Sequence, residues 1–251
     1  MKNIGLFIPC FIDSIYPNVA IATTKLLKQN GYNVFYPKDQ TCCGQPLYNS
    51  GYHDNSKVLA EKFYDIFKEY DYIVAPSASC ISMVKVHYKN LLPQEKYEEL
   101  KEKSYEIIEF LHDIVQLKDL DVSFPHSISI HKSYHGLREL YLATPDELNL
   151  PYHDKVANLL NLVKDIDIKV MDHDQECCGF GGTFSFNENE LSVKMGKDKL
   201  ENFKNSNADF FVGYDNSCMM HLKSISDFEK EDIKYLHVVE ILSGLKTKLE
   251  S

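Results

Sequence analysis

Two pairs of adjacent cysteines, each followed by glycine, stand at Cys42-Cys43-Gly44 and Cys177-Cys178-Gly179 in a chain with only seven cysteines. A lone cysteine is usually a small buried hydrophobe. A doubled pair that recurs 135 residues later points to chemistry. Each pair is followed by an apolar run that ends in a further cysteine, Tyr72-Ile-Val-Ala to Cys80 and Phe210-Phe-Val-Gly to Cys218, with 36 residues between Cys43 and Cys80 and 39 between Cys178 and Cys218. Upstream, Cys10 closes the run Ile4-Gly-Leu-Phe-Ile-Pro, with 31 residues between it and Cys42, whereas the matching run before the second pair reaches Tyr134. All seven cysteines thus fall into one scheme, four in a first copy and three in a second.

Three chemistries use clustered thiols. An iron-sulfur centre is held by cysteine thiolates, with backbone amides donating to sulfur. Zinc takes four tetrahedral ligands. A catalytic dithiol prefers Cys-x-x-Cys spacing, which is absent here. Two adjacent cysteines have a short, stiff linkage that sits awkwardly on one tetrahedral ion, while a multi-iron cluster offers separate irons; this favours the cluster and keeps zinc as the alternative. His135, His173 and His221 lie within a few residues of the cysteine stretches and could ligate metal or relay protons; the plain alternative for each is a histidine satisfied in a loop. Tyr48, Tyr52, Phe180, Phe184 and Phe186 read as core or interface aromatics. The glycine-rich stretch Cys178-Gly-Phe-Gly-Gly182 lacks the strand-turn-helix context of a dinucleotide fingerprint and instead lets backbone amides approach a buried anion.

The elements that must position these residues follow a regular order. Residues 3–10 read as a buried strand, 16–30 as a helix stopped by Gly31, 32–36 as a strand, 56–69 as a helix and 72–75 as a strand, with the first cysteine pair in the loop 38–50 and Cys80 opening the next helix. Residues 93–119 read as a charged, connecting helical segment. The plan then repeats, with strands at 124–131, 166–170 and 210–212, helices at 154–163 and 187–203, and a final helix at 237–249. Such alternation predicts an α/β fold of two pseudo-symmetric halves, 1–120 and 121–251, each a small parallel sheet with crossover helices and with its cysteine loops at the carboxyl ends of strands.

Composition narrows the function class. The chain has 251 residues, 44% of them hydrophobic, enough to bury a core without disulfides. Its net charge of −10 argues against nucleic acid or an anionic membrane surface as partner. A single arginine, Arg138, excludes a multi-arginine phosphate clamp. No stretch approaches the roughly 20 apolar residues of a spanning helix. The apolar start, Ile4 to Ile12, lacks a basic region and a cleavage site, so the sequence predicts a cytoplasmic protein whose clustered thiols serve metal or redox chemistry.

Glu176-Cys-Cys-Gly-Phe-Gly-Gly-Thr-Phe-Ser185, Pro76-Ser-Ala-Ser-Cys80 and Asp215-Asn-Ser-Cys218 resemble the CCG-domain family, and within it the lactate utilization protein A branch. More distantly the chain is similar to the B subunit of heterodisulfide reductase and the C subunit of anaerobic glycerol-3-phosphate dehydrogenase. The resemblance spans nearly the whole chain. It implies an iron-sulfur subunit, carrying a [4Fe-4S] cluster, of a multi-protein oxidoreductase that oxidises L-lactate to pyruvate beside a larger ferredoxin-like subunit and a third protein. In the heterodisulfide reductase relatives a second cysteine lies three residues after the last; Met83 and His221 hold those places here, which removes a fifth thiolate. In the lactate branch the second half opens with Ser-Cys-His, and Ser133-Tyr134-His135 stands in its place. The resemblance thus implies a first site of Cys10, Cys42, Cys43 and Cys80 and an incomplete second site of Cys177, Cys178 and Cys218, which binds metal weakly, takes water, His135 or a partner's residue as its missing ligand, or stays empty.

Overall fold

A computed structural model of the chain describes residues 1–244. Contacts divide it into two compact units, Met1–Val115 and the part from Gln116 onward. Each unit is built on one four-stranded sheet, and every strand pair is parallel.

In the first unit β1 (Asn3–Leu6), β2 (Asn33–Phe35), β3 (Tyr72–Ala75) and β4 (Ser104–Glu106) lie in the order β2-β1-β3-β4. The central strands are continuous apolar runs because helices cover both faces of a parallel sheet; Ile4, Ile73, Val74 and Ala75 are fully buried. β1 stops four residues before Cys10, since Pro9 offers no amide to the ladder and caps a new helix, Cys10–Ile15. The crossover helix Pro17–Gln29 starts on a proline and buries Val19, Ala22, Leu26 and Leu27 at helical spacing. The helix His53–Phe67 buries Phe63 and Phe67. Phe63 packs edge-on to Phe7, ring centroids 5.0 Å apart, a contact that adds about 1 kcal/mol to the area it buries.

The second unit repeats this plan with β5 (Ser127–His131), β6 (Asp167–Ile168), β7 (Phe210–Gly213) and β8 (Lys234–His237) in the order β6-β5-β7-β8. The helices Asn189–Ser206 and Asn216–Glu229 flank β7 in sequence. The repetition extends to single hydrogen bonds. Asp71, just before β3, accepts from the amide of Asn3 at 2.8 Å, and Asp209, just before β7, accepts from the amide of Ser127 at the same distance.

The predicted α/β class, with two similar parallel halves and cysteine loops at strand ends, is the architecture observed. Some elements differ. The connecting segment 93–119 is not helical throughout: the helix Gln94–Lys103 runs directly into the edge strand β4. At the far end, residue 237 closes β8 and caps the short helix Val238–Leu242; the rest of the expected 237–249 helix, from residue 245, lies outside the described residues. Among the described residues no helix is long and apolar enough to cross a membrane.

Candidate metal centres

In a sheet of order β2-β1-β3-β4 the chain leaves β1 and β3 toward opposite faces, and the crevice beyond their carboxyl ends is where such folds bind ligands. Three cysteine-bearing segments of the first unit converge there. Cys10 opens the helix after β1, Cys42 and Cys43 lie in the loop after β2, and Cys80 is the third residue of the helix Ala78–Ser82 after β3. The Cys42 thiol contacts those of Cys10 and Cys43, and the Cys43 thiol also contacts that of Cys80. The four predicted residues therefore form one chain of thiols, graded from the exposed Cys10 to the buried Cys43.

Fixed backbone holds this arrangement. Gln40 accepts from Ile8 N at 2.8 Å and donates to Pro37 O at 3.0 Å, which ties the cysteine loop to the end of β1. Gln45 Nε2 donates to Ser79 O at 3.2 Å, joining the same loop to the turn that carries Cys80. The buried Tyr88 hydroxyl donates to Cys43 O at 2.9 Å. Gly44 has φ +86°, and a Cβ there would lie 2.9 Å from Ser56 Oγ, so only glycine turns the chain here while its amide points at Cys42 Sγ, 3.4 Å away.

The electrostatics suit a centre that accumulates negative charge. Hydrogen bonds from Cys10 and Cys43, then the Gly44 amide, pull the Cys42 thiol well below its ordinary value. Cys10 is pushed up because its proton bonds Cys42 and because burial disfavours its thiolate, and Cys43 is pushed up by its bonds to Cys42 and Cys80 and by burial. Negative charge is thus favoured at Cys42, on which the Cys10 and Cys43 protons bond. A metal with several positive charges would displace those protons and hold all four sulfurs. Four convergent thiols beside a glycine cradle fit an iron-sulfur group.

The second unit carries the same cradle. Gly179 has φ +86°, its amide lies 3.4 Å from Cys177 Sγ, and Ser192 Oγ donates to its carbonyl at 2.8 Å, as Ser56 Oγ donates to Gly44 O at 3.2 Å. Cys177 contacts Cys178, and Cys178 contacts Cys218, the third residue of the helix Asn216–Glu229. The Arg138 guanidinium donates to Glu147 at 2.6 Å and to Gln175 O at 3.1 Å, which fixes the approach to Cys177.

Where a fourth thiol would stand, the registers place tyrosine. Leu6 faces Val74 across the first sheet as Ile130 faces Val212 across the second; four residues further on lie Cys10 and Tyr134. Tyr134 is 46% exposed, and with Cys177 it lines a cleft of about 520 Å³. Its ring packs against His135, centroids 5.8 Å apart, and under the Arg138 guanidinium. His173 is on the surface, its Nδ1 3.4 Å from a Glu176 carboxylate oxygen. His221 points Nε2 at Ser192 O, 3.4 Å, and its ring lies tilted against Phe180, centroids 5.7 Å apart. Of the aromatics, Tyr52 and Phe186 lie on the surface, 61% and 89% exposed.

The histidine among the second-unit thiols is one that sequence reasoning passed over. His131, at the end of β5, is 1% exposed, and ligand atoms of His131, Cys178 and Cys218 all lie within 4.8 Å of one another. Among the described residues, neither ring nitrogen has a hydrogen-bond partner. Burial, and then the charge of Lys199, pull the imidazole down to about 3, so it is neutral. Lys199 is itself buried and donates to His173 O at 2.6 Å and Asp174 O at 3.2 Å. The one sequence signal was a histidine closing an apolar strand at a point where function gathers.

Comparison with known proteins agrees with this architecture. The family of the cysteine-rich domain, CCG, matches residues 4–85 and 146–223. A lactate utilization protein A from Exiguobacterium sp. is 34% identical over 98% of this chain and 99% of its own length. One from Oceanobacillus iheyensis is 35% identical over 96% of both chains. Among solved structures, a hypothetical protein from Helicobacter pylori matches 99% of this chain and 50% of its own at a TM-score of 0.65 and 11% identity, a likeness of fold alone.

Proposed function

The chain belongs to the CCG cysteine-rich family and to its lactate utilization protein A branch, and on that premise we propose that it is an iron-sulfur electron-transfer subunit of a multi-protein oxidoreductase acting on L-lactate. The observation that carries the reading is the convergence of Cys10, Cys42, Cys43 and Cys80 at the carboxyl ends of β1 and β3. A bound cluster, [4Fe-4S] in this reading, supplies one-electron storage. The chain's own residues hold its sulfurs, set its charge environment and keep one edge, at Cys10, open to a redox partner. Those partners are a ferredoxin-like iron-sulfur subunit and a third subunit of the same complex, in the cytoplasm.

Iron and acid-labile sulfide assays on anaerobically purified chain test the cofactor. Iron with matching sulfide and a brown protein are expected; zinc without sulfide in a colourless protein would replace the reading with a structural zinc subunit. The substrate rests on the similarity to lactate utilization proteins and is tested by growth. A strain without this chain is expected to lose growth on L-lactate while growing on other carbon sources, and undiminished growth on lactate would remove the assignment. The purified chain alone is expected not to turn over lactate with an artificial acceptor, since its one arginine is engaged by Glu147 and Gln175.

A further inference from the structure

We infer that His131 is the fourth protein ligand of the second centre, so that Cys177, Cys178, Cys218 and the His131 imidazole form a mixed three-thiolate, one-imidazole site. The inference rests on the iron-sulfur reading above and extends it to a residue outside the cysteine motif.

Two observations carry it independently. The first is local. A histidine buried to 1% exposure, with both ring nitrogens unpartnered among the described residues, forfeits the hydrogen bonds it would make in water. Such a group asks what it is kept for, and its ligand atom lies within 4.8 Å of two of the three thiols. Neutral imidazole is a competent partner for iron beside thiolates, as in centres where histidines replace two cysteines on one iron.

The second observation is the comparison of the two units. The register that sets Tyr134 in the place of Cys10 sets His131 in the place of Phe7. The serine-to-glycine hydrogen bonds that align Ser56 with Ser192 set Lys199 in the place of Phe63, seven residues along each helix. In the first unit these two places hold the apolar pair Phe7 and Phe63, ring centroids 5.0 Å apart. Beneath the three-thiol site lie a buried histidine and a buried lysine whose charge is felt by His131, Cys177 and Cys178. The unit that lacks a thiol at the rim has a nitrogen donor at the floor. Buried polar residues in place of a packed aromatic pair are costly unless they serve a ligand, and the exchange falls on the unit that is one ligand short.

The test uses the full-length chain carrying Cys42→Ser and Cys43→Ser, which removes the first centre and leaves the second as the reporter. After anaerobic reconstitution with iron and sulfide, this protein is expected to retain iron and sulfide, and pulsed electron paramagnetic resonance of the reduced protein is expected to show nitrogen hyperfine coupling that changes when histidine is labelled with 15N. Adding His131→Phe and Lys199→Phe, which rebuilds the aromatic pair of the first unit and so preserves packing, should abolish the iron and the coupling with unchanged circular dichroism. Adding His131→Cys instead should keep the iron and lose the coupling. Iron retained without nitrogen coupling, or iron that survives His131→Phe with Lys199→Phe, overturns the inference while leaving the iron-sulfur reading intact. An empty second centre in the two-serine protein, with an iron-loaded wild type, also overturns it. A wild-type chain without iron or sulfide overturns the underlying reading itself.

Discussion

Cys43 and Tyr88 are joined by a hydrogen bond of 2.9 Å from the tyrosine hydroxyl to the cysteine carbonyl, and both residues are buried. The bond fixes the backbone of the cysteine pair from beneath, so that Cys42 and Cys43 present their sulfurs without rearrangement. Replacing Cys42 or Cys43 by serine is therefore expected to remove the visible absorption of the first centre while leaving the fold intact, because a hydroxyl is a poor substitute for a thiolate toward iron. Absorption spectra of anaerobically reconstituted variants check this. Unchanged spectra in both would mean that the pair does not ligate.

Acid should loosen both units through matching carboxylates. Asp71 is held below the usual carboxylate range by the Asn3 amide and by Lys2, and Asp209 by the amide and hydroxyl of Ser127. A depressed folded-state value means that the unfolded chain binds the proton first, so this stabilisation is complete above the ordinary carboxylate value near 4 and is lost as pH falls through the depressed one. Denaturant midpoints measured between about pH 6 and pH 2 are expected to fall less steeply for Asp71→Asn and Asp209→Asn than for the unaltered chain. Parallel curves for all three proteins would show that these carboxylates do not link folding to protons.

Much of this was legible in the sequence because its signals are local. Continuous apolar runs at Tyr72–Ala75 and Phe210–Gly213 mark central parallel strands, and each ends at a cysteine-bearing turn. The edge strands β4 and β8 were not legible, since Ser-Tyr-Glu and Lys-Tyr-Leu-His carry little hydrophobic pattern, and β4 follows a charged helix with no breaking residue between them. His131 was hidden for another reason. Its relation to Cys178 and Cys218 arises from strand register and helix docking across more than 40 residues of sequence, and no spacing rule reports it.

Beside the second centre, Lys132 is buried between Asp154 at 3.2 Å and Asp174 at 2.8 Å, and Asp154 also caps the helix Lys155–Leu160. Removing the lysine leaves two acidic groups facing each other, Asp154 buried and Asp174 about a quarter exposed. Lys132→Ala is expected to cost about 3–5 kcal/mol, the range for breaking a buried ion pair from one side. Urea unfolding followed by circular dichroism measures it. A loss below about 1 kcal/mol, the value of a surface pair, would mean that water reaches these carboxylates after all.

Tyr134 offers the sharpest test of the internal repeat, because it asks whether one position can be turned into its counterpart. The registers of β1 with β3 and of β5 with β7 place Tyr134 where Cys10 stands. A phenol, with an ordinary pKa of about 10, is a harder and weaker partner for iron than a thiol of about 8.5, and Tyr134 is spent on His135 and Arg138 at the rim. With His131→Phe and Lys199→Phe in place, the second unit has the aromatic floor of the first but only three thiols. Adding Tyr134→Cys to that protein supplies the fourth and is expected to restore iron and sulfide to the second centre, now without nitrogen coupling. The rim is open enough for the exchange, since the tyrosine is 46% exposed. Iron content that does not recover would show that residue 134 lies too far from Cys177, Cys178 and Cys218 to share a cluster with them, and that the resemblance of the two units ends at the backbone.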